Sequence, residues 1–381
     1  MFGKLLSCFR IFNDLAMRRA VLARSNRVRL ALERLEPREV PATFNVTNLS
    51  ADPSIANSLP WCINQANAVI GASDIDFAAA ANLQGGIDLT QALPALQQNI
   101  NLNGNGVVSI NRVNDNATPN FTILTVAANK KCTIDDLTFT GGQAPRAGGA
   151  IYNSGSLTVT ECEFDQNQAG SGGAIYNDVP ANMTIMDTTF KYNNATLGGA
   201  IFNMGVMWIN NGYFAWNTAS RGGAIDNVGS LTLQAWFENN SAALEGGAVW
   251  NNGWKLSING STFDWNSTAT PAGGDKGGGL YSVNNTSVTN TTFSNNSSSS
   301  LGGGVYVSTS NATFTGCIFD SNSSDKGGGF YVAAGTTVFT NCNFVNNKAT
   351  TRGPGGCWAQ GATVTRTNCT GEPDADFVAD M

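Results

Sequence analysis

Apolar and polar residues alternate with a period of two along much of this chain. The clearest run is 157–164, and equivalent runs occupy 183–190, 256–263 and 337–344. A period of two places successive side chains on opposite faces of a strand, so these segments are predicted to be β-strands with one buried face. Helices are not expected there, because Gly, Asn and Thr are frequent and are poor helix formers.

A short signature, Phe-x-x-Asn, recurs eight times between residues 164 and 347, in alternation with a Gly-Gly pair. Most copies follow the previous one after 24 to 26 residues. A fixed period of this length predicts a solenoid, in which each unit stacks on its neighbour because it cannot bury its own apolar face. The eight copies join Phe164 to Asn167, Phe190 to Asn193, Phe214 to Asn217, Phe237 to Asn240, Phe263 to Asn266, Phe293 to Asn296, Phe319 to Asn322 and Phe344 to Asn347.

Each coil is predicted to turn at three places: at the Gly-Gly pair, near Phe-x-x-Asn, and three residues before Phe. The last position is rich in Gly, Asn and Asp, which tolerate left-handed backbone angles. About three short strands per coil follow. When such coils stack in parallel at about 4.8 Å per step, equivalent residues lie above one another. The Phe residues are then a buried stack, and the Asn residues form a ladder whose hydrogen bonds contribute roughly 1 kcal/mol each.

The repeat closely resembles that of the bacterial polymorphic outer membrane proteins, in which Gly-Gly-Ala-Ile alternates with Phe-x-x-Asn. Residues 148–153 and 172–177 match best, and the resemblance covers about residues 130–370. It implies an all-β, right-handed parallel β-helix (β-solenoid). It also implies a secreted or surface-displayed passenger. We therefore expect a single-stranded β-helix with an N-terminal capping module and a basic leader.

The charge of the chain changes sharply after its first segment. Residues 1–42 hold nine Lys or Arg against four acidic residues, whereas the remainder holds 12 against 23. The acidic body argues against nucleic-acid binding. Residues 32–42 resemble the end of an Arg-rich leader on exported proteins of one bacterial phylum, so 1–42 is predicted to be a disordered export or processing segment. A disordered basic arm is the alternative. No run of about 20 apolar residues exists, so no transmembrane helix is expected.

Residues 43–131 lack the repeat but keep strand signals, with one predicted helix after a Ser58 cap. This segment resembles the N-terminal module that precedes such repeats in many exported bacterial proteins. The predicted division is therefore a cap at 43–131, repeats at 132–370 and an acidic tail at 371–381. The apolar face of the helix is predicted to comprise Leu59, Cys62, Ile63, Ala66 and Ile70.

The cysteines follow the repeat. Cys317 and Cys342 lie two residues before Phe in neighbouring coils, and Cys369 continues the row. Buried thiols are the preferred interpretation, and a disulfide across one coil step remains an alternative. The chain contains no His and no Cys-x-x-Cys, which argues against a zinc site or a His-dependent triad. No cofactor is expected.

Large aromatic residues interrupt an otherwise polar position. Two residues after Phe, most coils carry Asn, Gln or Ser, but three carry Tyr192, Trp216 and Trp265. We name Tyr192, Trp216, Trp236 and Trp265 the aromatic band. Trp208 and Trp250 are expected to extend it. Exposed aromatic rings suit recognition of an extracellular glycan or a surface protein. The alternative is a packing surface covered by a loop such as 268–276.

Asp136, Glu161 and Asp187 occupy the same turn position in three successive coils. Such a ladder is either a set of turn residues or an acidic or cation site, because like charges about 5 Å apart repel unless a cation binds. Lys191 is the only aligned base. It lies one coil above Asp165, where an inter-coil salt bridge is expected.

These observations favour a non-enzymatic, exported or cell-surface protein, associated with the outer membrane, with an adhesion or envelope-structural role. The alternative is a polysaccharide lyase or glycosidase on the same scaffold, since such enzymes use carboxylates about 5 Å apart. A purely structural surface-layer component is the third hypothesis. The sequence does not indicate an oligomeric state.

Overall fold

The computed structural model describes residues 41–79, 82–269, 274–308, 311–350 and 355–371, and the backbone of 377–380. Within them the chain winds into a right-handed parallel β-solenoid of about 11 turns, which confirms the predicted fold class. The predicted leader up to residue 40, residues 270–273 of the predicted covering loop, and most of the acidic tail lie outside the described residues.

Three parallel sheets run along the solenoid, and we name them the broad, short and third sheets. The broad sheet contains Ala42–Val46, Ala72–Phe77, Gly85–Leu89, Asn99–Asn103, Val108–Arg112, Lys131–Asp135, Thr138–Thr140, Ser156–Thr160, Glu163–Asp165, Asn182–Met186, Thr189–Lys191, Val206–Ala215, Ser230–Glu238, Lys255–Asn259, Thr262–Asp264, Thr286–Thr289, Thr292–Ser294, Ala312–Thr315, Ile318–Asp320, Thr336–Thr340, Asn343–Val345, Thr363–Thr367 and Thr370–Gly371. The short sheet contains Gln168–Ser171, Asn194–Leu197, Thr218–Arg221, Ser241–Glu245, Ser267–Thr268, Ser297–Ser298, Ser323–Ser324 and Lys348–Ala349. The third sheet contains Leu124–Val126, Ile151–Asn153, Ile175–Asn177, Ile201–Asn203, Ile225–Asn227, Val249–Asn251, Leu280–Ser282, Val305–Val307, Phe330–Val332, Cys357–Gln360 and Phe377–Asp380.

The Phe residues form one continuous buried stack inside the broad sheet. Equivalent residues pair in register from coil to coil, as Phe164 does with Phe190. The ring centroids are 4.6 to 5.3 Å apart along the whole stack. The stack begins one coil earlier than the Phe-x-x-Asn signature, at Phe139. Because each ring contacts the rings above and below it, the repeat buries its apolar face only through stacking.

The Asn residues of Phe-x-x-Asn form a buried ladder in the turn that follows each Phe strand. Each Nδ2 donates to the Oδ1 of the next coil at 2.9 to 3.1 Å. Each Oδ1 also accepts the backbone N–H of the preceding Asn, as Asn193 does from Asn167 at 3.0 Å. The ladder therefore satisfies backbone groups that no strand pairing reaches.

Most repeat coils contain four strands, and three remain where the two broad-sheet strands merge into Val206–Ala215 and Ser230–Glu238, so the prediction of about three strands missed one turn. The additional turn follows the third sheet, where Asn153 Oδ1 accepts the backbone N–H of Gly155 at 3.1 Å. It is held by a second Asn ladder, with Nδ2 to Oδ1 distances of 2.7 to 2.8 Å, that sequence reasoning missed. The ladder comprises Asn153, Asn177, Asn203, Asn227 and Asn251.

The helix Leu59–Ala68 packs against the first two strands of the broad sheet. Ser58 caps it, because its Oγ accepts the backbone N–H of Trp61 at 3.3 Å. Ile70 lies beyond the helix end and is 91% exposed, so its predicted place on the apolar face is wrong. Within the described part of the chain, no helix has the length and apolarity that a membrane span requires.

Candidate binding surface

The outer side of the Phe strand carries the aromatic band. Phe points inward, so the residues directly before and after it face outward. The next residue, two after Phe, adopts a left-handed backbone conformation with φ of 52° to 56° in every one of eight coils. Its occupants are Gln166, Tyr192, Trp216, Asn239, Trp265, Asn295, Ser321 and Asn346.

This turn favours Asn over a large ring. A left-handed conformation costs an ordinary residue roughly 1 to 2 kcal/mol, and Asn lowers that cost through local hydrogen bonds. Tyr192, Trp216 and Trp265 nevertheless occupy it and remain 51%, 42% and 60% exposed. Neither the backbone nor burial explains why these three positions carry rings.

The band residues lie on one face of neighbouring coils. The rings of Tyr192 and Trp216 stack with centroids 5.5 Å apart and planes 12° apart. Trp236 lies directly before Phe237, is about half exposed, and meets Tyr213 edge to face at 6.2 Å. Trp265 lies two coils beyond Trp216, at about 10 Å for this stacking distance.

Two further residues complete this face, and sequence reasoning missed both. The Tyr213 hydroxyl donates to Glu238 Oε2 at 2.7 Å. Desolvation, followed by the hydrogen bond to Glu238, raises the pKa of Tyr213 to about 12. The signal was present in the repeat, because Tyr213 and Trp236 hold the outward position before Phe in consecutive coils. The face therefore combines flat rings with a carboxylate that accepts hydrogen bonds.

Trp208 and Trp250 have different environments. Trp208 is half exposed on the broad sheet, in a groove of about 270 Å³ beside Met186 and Gln234. Trp250 is 6% exposed and lies on the third sheet, so the prediction that it extends the band is wrong. Its ring stacks on Tyr281 at 6.1 Å.

Trp250 belongs to a row of aromatic residues on the outward side of the third sheet. Neighbouring rings stack along the axis, and those from Trp250 onwards form a buried cluster, which sequence reasoning also missed. In the sequence, the row is indicated by an aromatic residue that lies two positions after the last residue of a Gly-Gly-Ala or Gly-Gly-Gly triplet. The row comprises Tyr152, Tyr176, Phe202, Trp250, Tyr281, Tyr306, Tyr331 and Trp358.

Asp226 interrupts this row and is fully buried. Arg221 Nε donates to Asp226 Oδ2 at 2.8 Å, and the guanidinium lies 3.6 Å above the Trp250 ring. Burial raises the pKa of Asp226 to about 6, although Arg221 opposes the shift. The other carboxylate oxygen, Oδ1, has no hydrogen-bond partner. This carboxylate is inaccessible to a ligand and affects stability rather than binding.

Asp136, Glu161 and Asp187 line a shallow depression of about 220 Å³, together with Glu163. All three turn residues have left-handed backbone angles. Asp187 Oδ1 accepts from Asn211 Nδ2 at 2.6 Å, so the following coil already supplies it with a donor. Among the described residues, no group of three Cys, Asp or Glu side chains is close enough to hold a metal ion.

Lys191 forms its ion pair with Glu163, at 3.3 Å, and not with Asp165. Asp165 is its register partner, but the long lysine side chain reaches the diagonal neighbour. Burial and the nearby Glu163 carboxylate raise the pKa of Asp165. Among the described residues, the base aligned with the acidic ladder is therefore held in an inter-coil salt bridge.

All seven cysteines in the described part of the chain are free thiols. Cys317 and Cys342 are buried, and Cys369 is half-buried. The hydrogen bond to the Cys342 thiol, together with burial, raises the pKa of Cys317. The Cys317 and Cys342 thiols therefore fill the inner corner of their coils as small apolar groups.

The sequence matches two known profiles. Residues 209–370 match the right-handed β-helix region, and residues 161–178 match the Chlamydia polymorphic membrane protein repeat. These two matches confirm the predicted right-handed β-helix and the resemblance of its repeat to that of the polymorphic outer membrane proteins. No curated protein matches the chain in sequence.

Three solved structures have similar architecture. PfbA, a surface adhesin of Streptococcus pneumoniae, is 9% identical, with a TM-score of 0.37 over 88% of this chain and 93% of its own. Tailspike protein 3 of Bacteriophage CBA120 is 12% identical, with a TM-score of 0.40 over 86% of this chain and 59% of its own. ORF18 of Geobacillus virus E2 is 12% identical, with a TM-score of 0.30 over 89% of this chain and 61% of its own.

Proposed function

We propose that this right-handed β-helix, with its polymorphic-membrane-protein-type repeat, is a non-enzymatic binding protein that recognises a saccharide chain through the aromatic band. One observation carries the proposal. Tyr192, Trp216 and Trp265 hold a left-handed turn position that favours Asn, and their rings remain exposed. A residue that is costly for the backbone and does not fill the core is best explained by a ligand.

A saccharide fits the chemistry of this face. Flat exposed rings stack on the apolar faces of sugars, and Glu238 offers an acceptor for hydroxyl groups. The rings recur along the solenoid axis, so an extended polymer lying parallel to that axis meets them in succession. Because Glu238 and Asp264 adjoin the rings, a neutral polymer is favoured over an acidic one.

The test replaces the rings with the residue that the turn prefers. The double variant Trp216→Asn, Trp265→Asn should fold with equal or higher stability, because Asn suits a positive φ. It should bind its glycan at least tenfold more weakly, since each ring buried by a ligand contributes roughly 1 to 3 kcal/mol. A glycan array on the parent identifies the probe, and calorimetry with that glycan measures both proteins.

The matched control is Asn346→Ala, which changes the same turn position in a coil without a ring, three coils beyond Trp265. Binding should be unchanged. Equal affinity of the double variant and the parent for the selected glycan would refute the band as a recognition surface. Capture of a surface protein that is lost in the double variant, without any glycan binding, would assign the band to a protein partner instead.

The absence of catalysis is part of the proposal. The acidic ladder has Lys191 as its nearest base, and that base is paired with Glu163. The chain has no His to act in its place. We therefore expect no product release from polyuronides or neutral glycans. Release that is abolished by Glu161→Gln would establish the alternative, a lyase or glycosidase.

We also propose an exported or cell-surface location, with association to the outer membrane. The support is the repeat type and the basic segment 1–42 with its leader-like end. Protease treatment of intact cells should remove the protein while cytoplasmic markers survive. Protection of the protein in intact cells would contradict this location.

A further inference from the structure

A depression on the broad sheet lies beside Trp254, at the opposite end of the strands from the aromatic band. Its volume is about 640 Å³, and Trp254 is 77% exposed at its edge. Trp254 and Trp265 belong to the same coil, at opposite ends of the strands Lys255–Asn259 and Thr262–Asp264. The two surfaces are therefore separate.

The depression arises from unequal turn lengths in three successive coils. Four residues separate Asn251 from Leu256, whereas only three separate the equivalent Ser282 from Thr286. The next coil again has the longer turn. Trp254, Asn285 and Asn311 belong to these three turns in order, and all three line the depression, with the shortest turn in the middle.

The lining has the chemistry of a sugar site. It offers an indole ring, the amides of Asn285 and Asn311, and the hydroxyls of Ser287 and Thr313. Within the described residues, neither amide side chain makes a hydrogen bond, so both can serve a ligand. A concave surface with an aromatic platform and a few convergent polar groups is the usual form of a small-molecule site.

The charge of the depression selects among sugars. Lys255 lies beside Trp254, and it has no acidic partner among the described residues. None of the lining residues is Asp or Glu. The aromatic band has the opposite character, since Glu238 and Asp264 adjoin it. We propose that the Trp254 depression binds an acidic monosaccharide unit, with the sugar ring on the indole and its carboxylate on the Lys255 ammonium.

This site does not depend on the aromatic band. The test uses two matched pairs of probes: tetragalacturonate with its methyl ester, and 3′-sialyllactose with lactose. Each probe is titrated into the ¹⁵N-labelled full chain while the indole N–H signals are followed. The Trp254 signal is identified by its loss in Trp254→Phe.

At least one acidic probe should shift the Trp254 signal and bind at least fivefold more tightly than its neutral counterpart. Lys255→Gln should abolish that preference, and Trp254→Ala should weaken binding at least tenfold. Both side chains are exposed, so both variants should fold as the parent does.

Two controls separate this site from others. Lys131 occupies the same register column as Lys255 without a neighbouring indole, so Lys131→Gln should leave the Trp254 titration unchanged. The Trp216→Asn, Trp265→Asn variant should also leave it unchanged, even if it loses binding at the band. The proposal is overturned if neither acidic probe shifts the Trp254 signal, or if the acidic preference survives in Lys255→Gln.

Discussion

Replacing one amide of the buried Asn ladder should destabilise the protein far more than replacing its exposed neighbour. Asn193 is fully buried, whereas Asn194, the next residue, is exposed. Asn193 Oδ1 accepts the backbone N–H of Asn167 at 3.0 Å and its side-chain N–H at 3.1 Å. Asn194 Nδ2 donates to Thr218 Oγ1 at the surface.

The expected loss follows from the groups left without partners. Asn193→Ala removes the acceptor of two buried N–H groups of Asn167, and each unsatisfied buried group costs about 1 to 3 kcal/mol. The free energy of unfolding should therefore fall by about 2 to 6 kcal/mol. Asn194→Ala leaves the Thr218 hydroxyl exposed to water, so the free energy of unfolding should change by less than about 1 kcal/mol.

Guanidinium unfolding followed by circular dichroism measures both variants under one set of conditions. Native-state hydrogen exchange adds a local readout, because the Asn167 amide should lose protection in Asn193→Ala alone. Since coils contact only their neighbours, that readout remains valid even if unfolding is not two-state. Equal losses in the two variants, within about 0.5 kcal/mol, would refute the energetic role of the ladder.

Two further changes test the core and the buried charge. Phe237→Ala should lower the free energy of unfolding by roughly 3 to 5 kcal/mol, because it opens a cavity inside the stack. The Phe237 ring centroid lies 4.9 Å from that of Phe214 and 4.6 Å from that of Phe263. A loss below about 1 kcal/mol in guanidinium unfolding would contradict the continuous stack. Asp226 has its pKa raised from 3.8 to about 6, so its protonated form stabilises the fold below pH 4 and this contribution is lost as the pH rises through 6. Relative to Asp226→Asn, the parent should therefore lose about 2 kcal/mol between pH 4 and pH 7.5, and a pH-independent difference in thermal or denaturant unfolding would contradict the burial of this charge.

The sequence predicted those features that depend on position within one repeat. Alternation with a period of two places Phe inside, and Asn, Asp or Gly three residues before Phe allows the left-handed turn. Both are local consequences of residue type, so neither requires knowledge of the neighbouring coil. The overall solenoid follows because equivalent residues must then stack.

Features that depend on two coils at once were harder to predict. Trp250 holds an outward position, which suggests exposure, but Tyr281 and Arg221 cover it from the adjacent coils. The ion pair between Lys191 and Glu163 forms because the long lysine side chain reaches the diagonal neighbour on the adjacent coil. The Trp254 depression depends on a difference of one residue between consecutive turns. The repeat pattern describes what the coils share and therefore does not reveal this difference.

The two Asn ladders also give the solenoid an electrical direction. Backbone partners fix the orientation of each amide: in Asn193, Oδ1 faces the preceding coil and one N–H faces the next. The second ladder points the same way, from Asn153 towards Asn251. The side-chain dipoles therefore add along the axis, with the positive end towards the C-terminal coils, as peptide dipoles add in a helix. A charged ligand placed near the last coils consequently meets a different potential from the same ligand near the first.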